Sequence, residues 1–185
     1  MQPSINTTST PRELEELELN FADLFRRYHP RIYTYLRYRV SVAEDAEDLV
    51  SAVFEKAFTN RTQFDPAKGN FSAWIFRIAH NTLANFYRDR QRRAGWESEE
   101  PSLADLPTPE GVLENRVIRQ EAILQLLSGL KQLAERDQEV ISLKFAGHLS
   151  NKEIGEIMDL KEKTVSVVLL RAMRRLQQIV QEGSA

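Results

Sequence analysis

The stretch Asn151–Leu176, NKEIGEIMDLKEKTVSVVLLRAMRRL, decides how the chain folds. It has the rhythm of a helix, a tight turn and a second helix. Ser150 and Glu153 stand at capping-box spacing ahead of the first helix. Along the second, Val165, Leu169, Ala172, Leu176 and Val180 recur in steps of four, three and four, which makes them a core seam. A pair of this shape can lie in a DNA groove. The side opposite the seam carries Val167, Leu170, Arg171 and Arg174, with Lys163 and Ser166 near its start. Aliphatic side chains can touch thymine methyls and arginines can hold backbone or guanine, but bidentate base reading by the start of this helix is poor. A surface for a hydrophobic partner is the alternative reading of the same face.

Working outward, the rest of the chain is helical too. Long segments carry apolar residues at helical spacing, none alternates in sustained fashion, and glycines and prolines fall mostly between them. The first helical block runs from about Asn20 to Val40, with Phe21, Leu24, Phe25, Tyr28, Ile32, Tyr35 and Leu36 along one side; Pro30 is expected to kink or break it. Ser41 and Glu44 have capping-box spacing before a second helix whose buried stripe is Ala46, Leu49, Val50, Val53, Ala57 and Phe58. After the loop TQFDPAKGN a third helix runs from about Phe71 to Arg93. The prolines, glycines, serines and acids of QRRAGWESEEPSLADLPTPEG then break the pattern. A helix from about Leu113 to Leu130 and another near Glu135 to Ala146 follow, the latter ended by Gly147. The expectation is an all-α protein of two small helical domains, 20–93 and 113–181, joined by a flexible linker, 94–112, behind a disordered tail, 1–19.

Composition narrows the function. At 28% charged residues and with no long apolar run, the chain of 185 residues is no membrane span, and its start lacks the basic flank and apolar core of an export signal. It contains no cysteine, which suits a cytoplasmic location and removes thiolate metal sites. His29, His80 and His148 are too scattered for a metal-ligand pair, and no nucleophile, base and orienter group or Gly-rich phosphate loop is present, so neither a metal, a cofactor nor an enzymatic activity is expected. The net charge of −2 hides a division: acids crowd Glu13–Glu18, Glu44–Glu55 and Glu97–Glu114, bases crowd Arg88–Arg93 and Arg171–Arg175. In the third helix Arg77, Asn81, Asn85, Arg88 and Arg92 share one side, and Tyr87 leans outward among them. Such a face can be ordinary surface, or it can hold phosphates, bond base edges and stack an unpaired base. Trp74 reads as core, or as the lining of a base pocket beside the loop. The acids of the second helix serve its dipole, or dock a basic partner through Asp45, Asp48 and Glu55.

Taken in order, AEDLVSAVFEKAF, FSAWIFRIAHNTLANFYRDRQRR and LAERDQEVISLKFAGHLSNKEIGEIMDL resemble a bacterial sigma factor of the extracytoplasmic-function group, within the sigma-70 family. The resemblance covers nearly all of Asn20 to Val180. It implies a promoter-specificity factor that lends core RNA polymerase its recognition of promoter DNA and does no chemistry itself. By it, Asp48, with Asp45, Ser51 and Glu55, would dock on the polymerase clamp, although Ser51 and Ala52 replace a larger polar pair often found there. The loop Thr62–Asn70 and the third helix would capture the melted minus-10 strand, one base turned out into a pocket, through Asn70, Trp74, Arg77, Asn81, Asn85, Tyr87, Arg88 and Arg92. The helix-turn-helix would meet the minus-35 element through Lys152, Lys163, Thr164, Ser166, Val167, Leu170, Arg171 and Arg174. Here KEKTVSVVLLRAM departs from the family's T-V-K-S-R-L-H-R-A: Thr164, Val165, Leu169, Arg171 and Ala172 match, while Lys161, Lys163, Ser166, Val167, Val168 and Leu170 replace the usual cap, turn and polar readers. An unusual minus-35 preference, or greater reliance on backbone and DNA shape, is expected. An anti-sigma factor is a further partner that the resemblance implies. Two rival readings are a sigma-like competitor that binds polymerase with weakened minus-35 recognition, and an enzyme built on an α-bundle.

Overall fold

The computed structural model describes residues 11–65, 69–93, 123 and 125–183, with the backbone alone for 11–20 and 93. Among these residues all regular structure is helical. A first unit is formed by α1 (Pro11–Arg39), α2 (Ala43–Thr59), a single 3-10 turn (Arg61–Gln63) and α3 (Phe71–Arg93). A second unit follows: α4 (residues 125–131), α5 (Glu135–Phe145), α6 (Asn151–Met158) and α7 (Glu162–Glu182). The helix α1 begins at Pro11, inside the stretch to residue 19 expected as a disordered tail. Residues 1–10, the expected linker at 94–112 and the expected helix start at Leu113 lie outside the described residues.

Pro30 does not break α1. A mid-helix proline removes one hydrogen bond and crowds the preceding turn at a cost of about 3 kcal/mol. Against that stand Tyr28, Ile32, Tyr35 and Leu36, all buried on one side of the same helix and each contributing roughly 1.5–3 kcal/mol by its burial. Packing therefore outweighs the proline.

The capping box expected of Ser41 and Glu44 does not form. α2 starts at Ala43, behind an extended Val42 that makes no side-chain cap bond. The Ser41 hydroxyl accepts instead from the Lys131 ammonium of the second unit at 3.3 Å. Glu44 and Asp45 in the first turn still complement the helix dipole. Ala46, Leu49, Val50, Val53 and Ala57 of the expected stripe face inward, joined by Phe54, while Phe58 is only half-buried; α2 packs between α1 and α3, where Ile75, Phe76, Ala79 and Leu83 meet it and α1.

In the second unit α7 carries α5 and α6 on its buried seam of Val165, Ala172 and Leu176. Ser150 and Glu153 close the capping box expected of them. α5 ends at Phe145, and Gly147 acts by its lack of bulk: a Cβ there would stand 2.5 Å from the Leu143 carbonyl oxygen. The left-handed turn residues are His148 (φ 50°) and Asp159 (φ 54°). α5 is buried nearly all round, with Asp137, Glu139 and Ser142 inside beside Val140, Ile141 and Leu143. Asp137 is paired with Arg175 of α7.

The two units share one continuous hydrophobic core. α1 lies on α5 and α3 lies on α6. Tyr35 of α1 is fully buried at this junction, edge-on to Phe76 with ring centres 5.7 Å apart.

Candidate nucleic-acid interface

The loop before α3 folds back as the 3-10 turn Arg61–Gln63 and places Phe64 against the first turn of the helix. Phe64, Phe71 and Trp74 form an aromatic triangle with ring centres 5.3 to 5.4 Å apart. Beside it opens a cavity of about 200 Å³, lined by Gln63, Phe64, Asp65, Gly69, Asn70, Ala73, Trp74 and Arg77 of the first unit and by Glu156 of the second. The half-buried Trp74 thus belongs to both of its expected settings, core and pocket wall. An aromatic wall with polar atoms at the rim is suited to a planar base, held by stacking and by bonds to its edge.

Asn70 has a structural role that its sequence context did not reveal. Its Oδ1 accepts from the backbone N–H groups of Ser72 at 2.6 Å and Ala73 at 3.3 Å, so it caps α3. Its amide donates to Glu153 Oε1 at 2.7 Å. Arg77, one turn further on, donates to the backbone carbonyl of Glu156 at 2.7 Å. Both candidates on the pocket rim are therefore engaged by α6.

Beyond the pocket, Arg77, Asn81, Asn85, Arg88 and Arg92 occupy one exposed face as their spacing predicts. Arg88 donates to Asn85 at 3.2 Å and Arg92 pairs with Asp89, contacts that hold side chains on the surface without hiding them. Tyr87 differs from expectation: its hydroxyl donates to the Arg39 carbonyl and its ring packs against Phe86, so it is turned back toward α1. Burial pushes its phenol above the ordinary value. Asp48, Ser51 and Glu55 are exposed on α2, the Ser51 hydroxyl bonded to its own helix at Glu47. Asp45 is half-buried and paired with Arg90 at 3.5 Å.

On α7, Lys163, Thr164, Ser166, Val167, Leu170, Arg171 and Arg174 are exposed, as is Lys152 on α6. Ser166 is occupied locally, accepting from Asn151 at 2.9 Å and donating to Glu162 at 3.1 Å. Val167 and Leu170 are 46% and 53% exposed and continue into Met173 at 39%, so the face is an aliphatic strip with an arginine margin. Val168 and Leu169 are half-buried. Lys161, in the cap position before α7, makes no side-chain cap bond.

A buried polar hub, which no local pattern announced, lies between the units. The carboxylate of Glu139 on α5 accepts from Tyr35 at 2.7 Å and from Arg39 at 2.5 Å, and lies 2.8 Å from His80 Nδ1 on α3. Burial alone would raise its pKa; the His80 hydrogen bond, the Arg39 charge and the Tyr35 hydroxyl outweigh that and hold it below the ordinary value. Burial, then the Glu139 charge, pushes the Tyr35 phenol well above its ordinary range. Among the described residues no cluster of His, Asp and Glu is placed to hold a metal, and no helix is long and apolar enough to cross a membrane.

Residues 24–93 match the family described as sigma-70 region 2, and residues 123–176 match sigma-70, region 4. The chain is 31% identical over 158 residues to the RNA polymerase sigma factor YlaC of Bacillus subtilis, covering 84% of this chain and 88% of that one. It is 28% identical to the ECF RNA polymerase sigma factor BldN of Streptomyces coelicolor across 89% of its own length, and spans 61% of BldN. The fold is shared with the sigma factor RpoE of Bartonella quintana, solved in complex with the anti-sigma factor NepR: TM-score 0.73 at 24% identity, over 88% of this chain and 97% of that one.

Proposed function

Since the chain belongs to the extracytoplasmic-function group of the sigma-70 family, we propose how its parts divide the work of a promoter-specificity factor. The first unit docks on core RNA polymerase through the exposed α2 carboxylates Asp48 and Glu55, with Ser51 between them and Asp45 at the margin. The aromatic pocket receives one unpaired base of the minus-10 strand, with Asn70, Trp74 and Arg77 at its rim, and Asn81, Asn85, Arg88 and Arg92 hold the backbone and neighbouring bases. The second unit approaches the minus-35 region with α7, by aliphatic contact from Val167 and Leu170 and phosphate contact from Lys152, Lys163, Arg171 and Arg174. The chain supplies recognition and leaves the chemistry to the polymerase, in the cytoplasm, and an anti-sigma factor that covers these faces would silence it.

The observation that supports this reading most is the aromatic pocket at the start of a helix whose exposed face carries arginine and asparagine together. Run-off transcription tests it: the purified chain is added to core polymerase with a library of promoter fragments, and the transcripts are sequenced. Start sites sharing an upstream minus-10 motif are the expected result. Polymerase binding without transcription from any fragment would replace this reading with that of a competitor.

A further inference from the structure

Two small polar side chains stand where α6 meets the start of α7, and they satisfy one another. The Asn151 amide donates to Ser166 Oγ at 2.9 Å, and Asn151 Oδ1 accepts from the Lys144 ammonium at 3.0 Å. The Ser166 hydroxyl in turn donates to the Glu162 carbonyl at 3.1 Å. Asparagine and serine are good partners for base edges, but here the protein itself holds both. The middle of the exposed face of α7 is left to Val167 and Leu170, with Met173 one turn on. Lys163 precedes Val167 by one turn, and Arg171 and Arg174 follow Val167 and Leu170 by one turn. Thr164, beside Lys163, presents a methyl as well as a hydroxyl. All these side chains are exposed, so the face is aliphatic at its centre and cationic at both ends.

A helix laid in the major groove brings side chains to the base edges, and cations beside them meet the phosphates. The edges offer donors and acceptors that valine and leucine cannot answer. The one apolar group among them is the C5-methyl of thymine. Cytosine methylated at the same ring carbon carries the same group in the same place, whereas uracil keeps the pairing and the O4 of thymine and lacks the methyl.

Resting on the placement of α7 at the minus-35 region, we propose that this helix reads C5-methyl groups rather than hydrogen-bonding edges. Its ligand is a methyl-bearing pyrimidine: 5-methylcytosine is accepted where thymine is, and cytosine methylation at a position facing Val167 or Leu170 strengthens the promoter. Recognition runs through contact of the methyl with these two side chains, at carbon–carbon distances of about 3.5–4.0 Å, while Lys163, Arg171 and Arg174 hold phosphates. Covering one methyl raises affinity about fourfold.

The test uses the full chain with core polymerase and a labelled promoter duplex carrying the minus-35 segment enriched in run-off transcription. Uracil replaces each thymine of that segment in turn, and promoter affinity is measured by titration. Binding should weaken about fourfold wherever the methyl is touched. At those positions a change from T·A to C·G should weaken binding too, and 5-methylcytosine in place of that cytosine should recover about fourfold. Val167→Ala and Leu170→Ala, both at exposed positions, should shrink these methyl effects toward unity and leave the salt dependence as in wild type. A methyl effect that survives both substitutions is read by another part of the protein and overturns the proposal. Binding indifferent to uracil and 5-methylcytosine throughout, or an enriched segment without thymine, overturns it as well, with initiation intact in either case. Loss of polymerase binding, rather than of promoter selection, in the two variants makes the strip a protein-docking face instead. If the wild-type chain neither binds polymerase nor initiates, the functional reading fails, and the placement of α7 fails with it.

Discussion

Asn70, which caps α3, and Glu153, the capping-box partner of Ser150 at the start of α6, are hydrogen-bonded to one another at 2.7 Å across the junction of the two units. Asn70 closes the start of α3, and Glu153 completes the capping box of α6. Asn70→Asp separates the two roles. Aspartate caps as well as asparagine, but it has no N–H for Glu153 and sets a second carboxylate against it. The expected loss is about 0.5–1 kcal/mol at neutral pH, in keeping with an exposed charged contact, whereas Asn70→Ala adds about 1 kcal/mol for the missing cap. Urea unfolding of both variants checks this, and for Asn70→Asp the loss should shrink as the pH approaches 4.

Stability should be highest on a plateau bounded by Glu139 and Tyr35. The Glu139 carboxyl is held below its ordinary value of 4.5, so its contribution is complete above that pH and disappears as the pH falls through the lower folded value. Tyr35 is raised above 10.0, so its contribution is complete below that pH and disappears as the pH rises through the higher folded value. Urea midpoints measured from pH 3 to 11 should fall at both ends. Glu139→Gln should flatten the acid limb, and an unchanged acid limb would remove Glu139 from this account.

Two glycines make opposite predictions. At Gly155 a Cβ would stand 2.5 Å from the Leu160 carbonyl oxygen, and Leu160 cannot retreat because its N–H bonds the Gly155 carbonyl at 2.8 Å. Gly155→Ala should therefore cost about 1–3 kcal/mol, more than the roughly 1 kcal/mol gained in helix propensity. At Gly129 the nearest atoms are methyl tips of Leu176 and Val180 at 3.2 Å, which can yield. Gly129→Ala should be close to neutral. Chemical denaturation compares the two directly.

Arg88 and Arg92 offer a test by salt. If both hold phosphates of the melted strand, Arg88→Ala with Arg92→Ala should lower the slope of log affinity against log salt by about 1.4 in the polymerase–promoter complex, with little change in sequence preference. An unchanged slope would place these arginines away from the strand.

The aliphatic strip of α7 makes the minus-35 contact testable at the residues that face outward, Val167 and Leu170, rather than at half-buried Val168. Val167→Lys should add about one phosphate contact, raising the salt slope by about 1, whereas Leu170→Ala should weaken selection at thymine-bearing positions. Indifference of promoter affinity and motif to both changes would mean that this face does not approach DNA.

Much of the buried sides of α1, α2, α3 and α7 was legible in the sequence because apolar spacing reports a local geometry, although Phe25 of the α1 stripe is exposed: α3 was read at both ends, its arginine and asparagine face included. The capping box at Ser150 was legible for the same reason, while that at Ser41 failed because α2 starts at Ala43 with Val42 in the cap position, which leaves Ser41 one residue too early. Pro30 misled because propensity is local and the packing of Ile32 and Leu36 is not. Glu139 was invisible altogether. Its partners Tyr35, Arg39 and His80 lie far from it in sequence, and α5 has so little exposed side that a carboxylate within it breaks no pattern. The dual engagement of Asn70 and Arg77 was hidden likewise, since each looks locally like one more polar residue beside a loop.

That dual engagement limits how promoter preference can be altered, by design or by drift. On the function proposed above, a substitution at Asn70 or Arg77 would change what the pocket accepts and, in the same stroke, the contacts that α6 makes at its rim. Asn81 and Asn85, exposed further along α3, carry no such tie to α6, and on the same reading retargeting that leaves this junction intact would begin with them.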